Sequence, residues 1–313
     1  MTIANTPRVN ISSSSFVQFI ANTKCSSRSI RRLSLSLFAA MTAATLVGCG
    51  SSSDIGSETN ADNTEANAAV PAGEVLRIGT EGAYAPFNYT NADGTLGGFD
   101  VDMANAICDD MQVTCEIMAQ DWDGIIPGLK AGKYDAIVAA MSITPERAKQ
   151  VAFTEPYFSN SLVFLAKKDS SFDPSNSSDI TAHSIAAQRS TVSSQWLEGE
   201  YPDANIKLYD TLSNAFLDLG SGRVDAMISD KLPAIEWLSS ESGGDYVVKG
   251  DEIDIDDNFA IAVRPGDELQ ASINQSLANL KTNGTYDKIH QKYFAVPTSA
   301  TETAAPIADA TAQ

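Results

Sequence analysis

Tyr134-Asp-Ala-Ile-Val-Ala-Ala-Met-Ser-Ile-Thr-Pro-Glu-Arg147 reads as a buried strand that runs directly into a helix. The run Tyr134 to Ala140 is apolar apart from Asp135, which suits a strand covered on both faces, as in a parallel sheet. Thr144 suits a helix N-cap and Pro145 the first helical position, so Arg147 falls in the first turn of a helix opening beside a strand end. Unpaired backbone N–H groups and the helix dipole favour negative charge there, and a guanidinium clasps a carboxylate through two parallel hydrogen bonds. Two readings of Arg147 follow: an anion-binding group, or an arginine paired with Glu146 or another nearby surface acid.

Outward from this stretch, short apolar runs alternate with helical patterns. Strands are expected at Val75–Gly79, Leu162–Ala166, Ser184–Ala187, Ala226–Ser229 and Phe259–Val263. Helical spacing of three or four recurs at Ala104, Ile107, Met111 and again at Leu269, Ile273, Leu277, Leu280, and a helix is expected over Asp100–Met111. The alternation predicts an α/β protein with parallel sheets. Lys133-Tyr-Asp-Ala-Ile and Arg223-Val-Asp-Ala-Met share a layout, each leading into an apolar strand that ends in polar residues, Ser142 in one case and Ser229-Asp230 in the other. Two related lobes are therefore expected, with polar groups delivered from strand ends into a cleft between them.

The ends of the chain have a different character. Arg28, Arg31 and Arg32 precede an apolar run, Leu33 to Val47, that is too short to span a bilayer, so residues 1–48 read as an export signal. Leu46-Val-Gly-Cys49 resembles the lipobox of bacterial lipoproteins, which implies lipidation of Cys49; the alternative is an ordinary signal peptide with a chance cysteine. Residues 49–73 and 297–313 are small and polar, and read as a tether and a loose tail. Removal of residues 1–48 leaves 16 basic against 40 acidic side chains, a formal charge of −24. Such a surface repels nucleic acid and anionic lipid headgroups; it attracts cationic solutes, or serves solubility alone. With Cys25 cleaved off and Cys49 lipidated, Cys108 and Cys115 remain, and in an exported protein they are expected to pair. The spacing and the sequence distance of His183 and His290 argue against a metal or redox site.

Together with Glu81-Gly-Ala-Tyr-Ala-Pro-Phe87, Gly98-Phe-Asp-Val-Asp102, Asp121-Trp-Asp-Gly-Ile-Ile-Pro127 and Gly284-Thr-Tyr-Asp287, these motifs resemble the periplasmic solute-binding proteins of polar amino-acid ABC importers, most of all the receptors for lysine, arginine, ornithine and histidine. The resemblance covers nearly all of residues 74–296. It implies a two-lobed fold of type II, each lobe a mostly parallel sheet flanked by helices and joined by two hinge strands, with residues 74–159 and 258–296 in lobe 1 and 160–257 in lobe 2. Carried over by motif, Arg147 holds the ligand α-carboxylate with the Ser142 hydroxyl and the Thr191 N–H. Asp230 takes the α-ammonium, with the Ala140 carbonyl as a second acceptor. Tyr84 and Trp122 match positions whose rings flank the ligand side chain, although either ring equally suits core packing. Glu81, just past the first strand, meets a distal ammonium or guanidinium, or stays exposed without a contact.

The resemblance further implies a monomer that needs no cofactor, attached by lipid to the membrane from the periplasm or the outer face of the cell envelope, and delivering its amino acid to permease subunits. One departure stands out: Ser190 occupies the place before Thr191 where the family usually has glycine, and serine adopts positive φ less readily. Arg189 beside it adds positive charge that disfavours a cationic side chain. Two rivals share the fold: a dehydratase acting on cyclic acids, with Glu81 or Asp230 as the proton-transfer group, and a sensor subunit that docks on a receptor.

Overall fold

The computed structural model describes residues 73–294. The expected export signal, Cys49, the tether up to residue 72 and everything from residue 295 onward lie outside the described residues.

The chain begins with β1 (Val75–Thr80), a small meander of β2 (Ala83–Tyr84), β3 (Asn88–Thr90) and β4 (Leu96–Gly97), and α1 (Phe99–Met111). There follow β5 (Thr114–Ala119), α2 (Trp122–Lys130), β6 (Ala136–Ile137), the single turn α3 (Pro145–Ala148) and β7 (Ala152–Phe153). The long strand β8 (Phe158–Lys167) leads into α4 (Ser177–Ala182), β9 (Ser184–Gln188), α5 (Val192–Glu200), β10 (Asn205–Tyr209), α6 (Leu212–Gly220), β11 (Ala226–Asp230) and α7 (Lys231–Leu238). A second long strand, β12 (Tyr246–Phe259), returns to β13 (Ala262–Val263), α8 (Leu269–Thr282) and α9 (Thr285–Phe294).

Two five-stranded sheets result, ordered β5-β1-β6-β13-β7 and β10-β9-β11-β8-β12. In each, three strands run parallel, and two more are joined on one side through antiparallel ladders, so that only the first of the two (β13 or β8) runs against the rest. The parallel cores are the α/β units that the alternating pattern predicts. The added strands include β8 and β12, which pair from Phe158 with Phe259 to Lys167 with Tyr246 and carry the chain between the sheets. The expected strand Tyr134–Ala140 is laddered only over Ala136–Ile137, but single hydrogen bonds from Asp135 N to Arg77 O and from Val138 N to Gly79 O continue it at both ends.

The shared Asp-Ala layout has a structural counterpart. Asp135 accepts the backbone N–H of Arg77 on the neighbouring strand and its guanidinium at 2.8 Å, while Asp225 accepts the backbone N–H of Ser184 at 2.8 Å. In both sheets an aspartate at the start of an inner strand thus pins the strand beside it. Gly79 permits the contact of β1 with the first motif, since a Cβ there would sit 2.7 Å from the Tyr134 ring. Gly98 has φ 117° and passes so close to the Phe87 carbonyl that a Cβ would lie 2.3 Å from its oxygen, so only glycine makes this entry into α1.

The crossing strands are anchored at one end by aromatic packing. Phe87 meets Phe158 and Phe259 edge-on, with ring centroids 5.1 and 5.3 Å apart. Cys108 and Cys115 are bonded, their Cα atoms 5.7 Å apart, tying the last turn of α1 to β5.

Candidate functional site

The ends of β1, β9 and β11 and the starts of α2, α3 and α5 converge on one small cavity, lined by all eight residues expected at a ligand site: Glu81, Tyr84, Trp122, Ala140, Ser142, Arg147, Thr191 and Asp230. Ala139, Gln188 and Val192 complete its walls.

Thr144 caps α3, its hydroxyl accepting the Arg147 N–H at 3.2 Å, and Pro145 opens the helix, as the motif predicts. The Arg147 side chain turns inward. It is buried, donating from Nη1 to the Ser142 carbonyl at 2.8 Å and from Nη2 to the Ser190 carbonyl at 3.0 Å, with its guanidinium carbon 5.1 Å from the Trp122 ring centroid. The surface-pair reading fails, because Glu146 instead faces Lys149 at 3.8 Å and no carboxylate among the described residues comes within 4.0 Å of the guanidinium. Burial lowers the Arg147 pKa, with Asp257 and Asp230 pulling the other way. A buried cation held only by carbonyls is a strong pull on an anion.

The opposite charge is supplied by two buried acids. Asp230, the last residue of β11, accepts the Tyr84 hydroxyl from β2 of the small meander, and its Oδ1 has no partner among the described residues. Burial, with Asp257 nearby, pushes its pKa up to about 7. Glu81, also buried, accepts Gln188 Nε2 at 2.7 Å. Its pKa is likewise pushed up to about 7, by burial and then by Asp121 and Asp123. The reading of Glu81 as an exposed acid without contacts does not hold.

Ser142 spends its single hydroxyl proton on Asp257 at 3.1 Å, so toward the cavity it offers an acceptor rather than a donor. Thr191 caps α5, its hydroxyl accepting Ser194 N at 3.3 Å and donating to Gln188 O at 2.7 Å, which leaves its backbone N–H for the role expected of it. Ala140 stands in the left-handed region with φ 46°. Trp122 is the first residue of α2 and donates Nε1 to the Ser190 carbonyl at 3.2 Å. Tyr84 is 7 % exposed, and its ring is tied to the cleft through its hydroxyl.

The substitution of serine for glycine is absorbed: Ser190 adopts φ 60°, and its carbonyl receives both Trp122 and Arg147. Arg189 does not line the cavity. It pairs with Asp210 at 2.9 Å and approaches Asp123 at 4.0 Å, so its charge is spent away from the site.

Two functional candidates escape sequence reasoning. Gln188 closes the cavity wall and holds Glu81 across the cleft; its place at the end of β9 is the signal that marks it, because the other wall residues also sit at strand ends. Asp257, in the irregular part of β12, accepts Ser142 and Asn160 Nδ2 at 3.1 and 2.8 Å and faces Arg147, with no motif to announce it. Among the described residues no group of three or more histidine, cysteine or acidic side chains is placed to hold a metal ion.

The arrangement thus sets one buried cation, Arg147, against two buried acids, Asp230 and Glu81, around a single cavity. Residues 76–296 match the bacterial extracellular solute-binding proteins, family 3. The ABC transporter arginine-binding protein 1 of Escherichia coli K12 is 36 % identical over 226 residues, 71 % of this chain and 92 % of that protein. Among solved structures, an ancestral arginine-binding protein bound to arginine superposes with a TM-score of 0.67 at 37 % identity, covering 70 % of this chain and 98 % of its own. An ancestral amino-acid-binding protein, described as a precursor of cyclohexadienyl dehydratase, gives a TM-score of 0.64 at 35 % identity, over 70 % of this chain and 95 % of its own. With its two sheets, crossing strands and cleft in place, the chain belongs to the bacterial extracellular solute-binding proteins of family 3.

Proposed function

We propose that this protein is the receptor of an amino-acid ABC importer and that it traps a basic L-amino acid, arginine foremost, between its two lobes. The observation that carries this reading is the charge pattern of one small cavity. Arg147 is buried without a carboxylate partner, while Asp230 and Glu81 are buried acids on two further walls. An α-amino acid with a cationic side chain supplies one anion and two cations, which complements all three. In this reading Arg147 and the Thr191 N–H take the α-carboxylate, Asp230 and the Ala140 carbonyl take the α-ammonium, and Ser142 serves beside them as an acceptor. Glu81, steadied by Gln188, takes the distal cation, and the Tyr84 and Trp122 rings flank the stem. The relatives named for arginine support the same choice.

Closure follows from the contacts that already cross the cleft: Tyr84 to Asp230, Gln188 to Glu81, and both Trp122 and Arg147 to the Ser190 carbonyl. Ligand groups that replace or add to these links favour the closed form, because an open cleft offers only one lobe at a time. The lobes, residues 74–159 with 258–296 against 160–257, swing about the crossing strands, and the closed form is what a permease recognises. Cys49, lipidated, tethers the whole to the membrane.

The test is a thermal-shift screen of residues 74–296 against the common amino acids with ornithine, citrulline and prephenate. A ligand at 100 times its dissociation constant adds about 2.7 kcal/mol of stability. Shifts with arginine, lysine, ornithine or histidine alone support the reading; shifts with neutral amino acids alone keep the receptor and remove Glu81 from its role. A response to prephenate, with product released, favours the dehydratase rival, for which a half-protonated Glu81 is a suitable proton donor.

A further inference from the structure

Behind the cavity, out of reach of any ligand, lies a fully buried carboxylate. Asp100, in the first turn of α1, is 0 % exposed and does not line the cavity. Its Oδ1 accepts the Tyr157 hydroxyl at 2.7 Å and its Oδ2 accepts Asn88 Nδ2 at 2.8 Å. Each partner passes the connection on. The Tyr157 oxygen accepts the backbone N–H of Ala140 at 3.2 Å, and Asn88 Oδ1 accepts the backbone N–H of Gly82 at 2.8 Å.

The two amides belong to the turns that leave the paired strands β6 and β1, and both residues have left-handed backbones, φ 46° at Ala140 and φ 78° at Gly82. An alanine in that region persists only when its surroundings hold it there. Ala140 supplies a cavity wall, and Gly82 is the neighbour of Glu81. So complete a burial penalises the charged form, and the hydrogen bonds from Tyr157 and Asn88 offset part of that penalty, which ties the carboxylate closely to both partners.

We propose that Asp100 is a positioning residue for the cleft: through Tyr157 it fixes the Ala140 backbone that receives the ligand α-ammonium, and through Asn88 it fixes the turn that aims Glu81 at the ligand side chain. The inference rests on the amino-acid reading of the cleft. One buried group therefore sets the distance between the two cation acceptors, and the two arms can be cut separately.

The experiment measures the affinity of the full chain for arginine, for 5-guanidinopentanoate, which lacks the α-ammonium, and for norvaline, which lacks the guanidinium. Tyr157→Phe is expected to weaken arginine and norvaline about tenfold while leaving 5-guanidinopentanoate within twofold. Asn88→Ser is expected to weaken arginine and 5-guanidinopentanoate about tenfold while sparing norvaline. Asp100→Ala combines both losses; if that variant does not fold, the other two carry the test. A loss by the same factor for all three ligands, or no loss, overturns the proposal alone. Failure of the unaltered protein to bind any amino acid overturns the receptor reading itself, and the proposal with it.

Discussion

Binding a basic amino acid should expel protons from the cleft, and their number can be worked out. Glu81 and Asp230 each have a pKa pushed up to about 7 in the closed cleft, chiefly by burial. At pH 7 each is then about half protonated. A distal guanidinium beside Glu81 and an α-ammonium beside Asp230 supply the charge that burial withheld, so both ionise fully in the complex. Arginine is therefore expected to release roughly one proton at pH 7, roughly 1.8 at pH 6 and roughly 0.2 at pH 8. Its affinity rises about tenfold per pH unit near pH 7 and levels off above pH 8. Citrulline, of similar shape but neutral, discharges only Asp230 and releases about half a proton at pH 7. Calorimetric titrations in buffers of different ionisation enthalpy read the proton count directly. Equal release by arginine and citrulline would refute the assignment of Glu81, and no release by either would mean that both acids are already ionised in the free protein.

The same shifts act on the ligand-free protein with the opposite slope. Both pKa values rise on folding, from 4.5 and 3.8 to about 7, so the closed form binds more protons than the unfolded chain between about pH 4 and pH 7. Its stability accordingly falls as pH rises through that window. Opening the cleft rehydrates both carboxylates without unfolding either lobe. Without ligand the cost at neutral pH thus appears as a shift toward the open form.

Arg147→Ala is expected to lower amino-acid affinity at least a thousandfold in calorimetry while moving the melting temperature little, because the guanidinium it removes is buried with carbonyl partners alone. Ser190→Gly relieves a residue at φ 60° and should raise the denaturant-unfolding free energy by about 0.5–1 kcal/mol, the strain removed less the entropy glycine returns to the unfolded chain. Replacing Cys108 and Cys115 together by serine should cost about 2.5 kcal/mol by the loop-entropy relation, read in the same titration; an unchanged midpoint would place their value elsewhere than in stability. Cys49→Ser is expected to move the protein from the membrane fraction to the soluble fraction on cell fractionation.

The contrast between what the motifs disclosed and what they hid has a physical pattern. Thr144, Pro145 and Arg147 were legible because capping is a local code: three neighbouring residues satisfy one another, and their order alone specifies the turn. The strand ends were legible because the sheet core is apolar and the cleft is polar, so the change of character along one segment marks the wall. The edge strand β10 and most of the crossing strand β12 were not, whereas the crossing strand β8 was, through its apolar run Leu162–Ala166. β10 is half exposed, and the acid-rich stretch of β12 keeps one face in water, so neither carries the unbroken apolar run that marked β9 and β11.

What no motif conveyed is how the buried polar groups pair. Glu81 meets Gln188 across 107 residues, Tyr84 meets Asp230 across 146, and Ser142 meets Asp257 across 115. In sequence each of these is a polar residue near a strand end, indistinguishable from a solvated one. Only the fold decides which become obligate partners, because a donor or acceptor sealed from water must find one or destabilise the protein. Asp257 shows the consequence. By taking the one proton of Ser142 it turns a residue expected to donate to the ligand carboxylate into an acceptor, and its own charge, facing Arg147 and Asp230, tilts the cleft further toward cations.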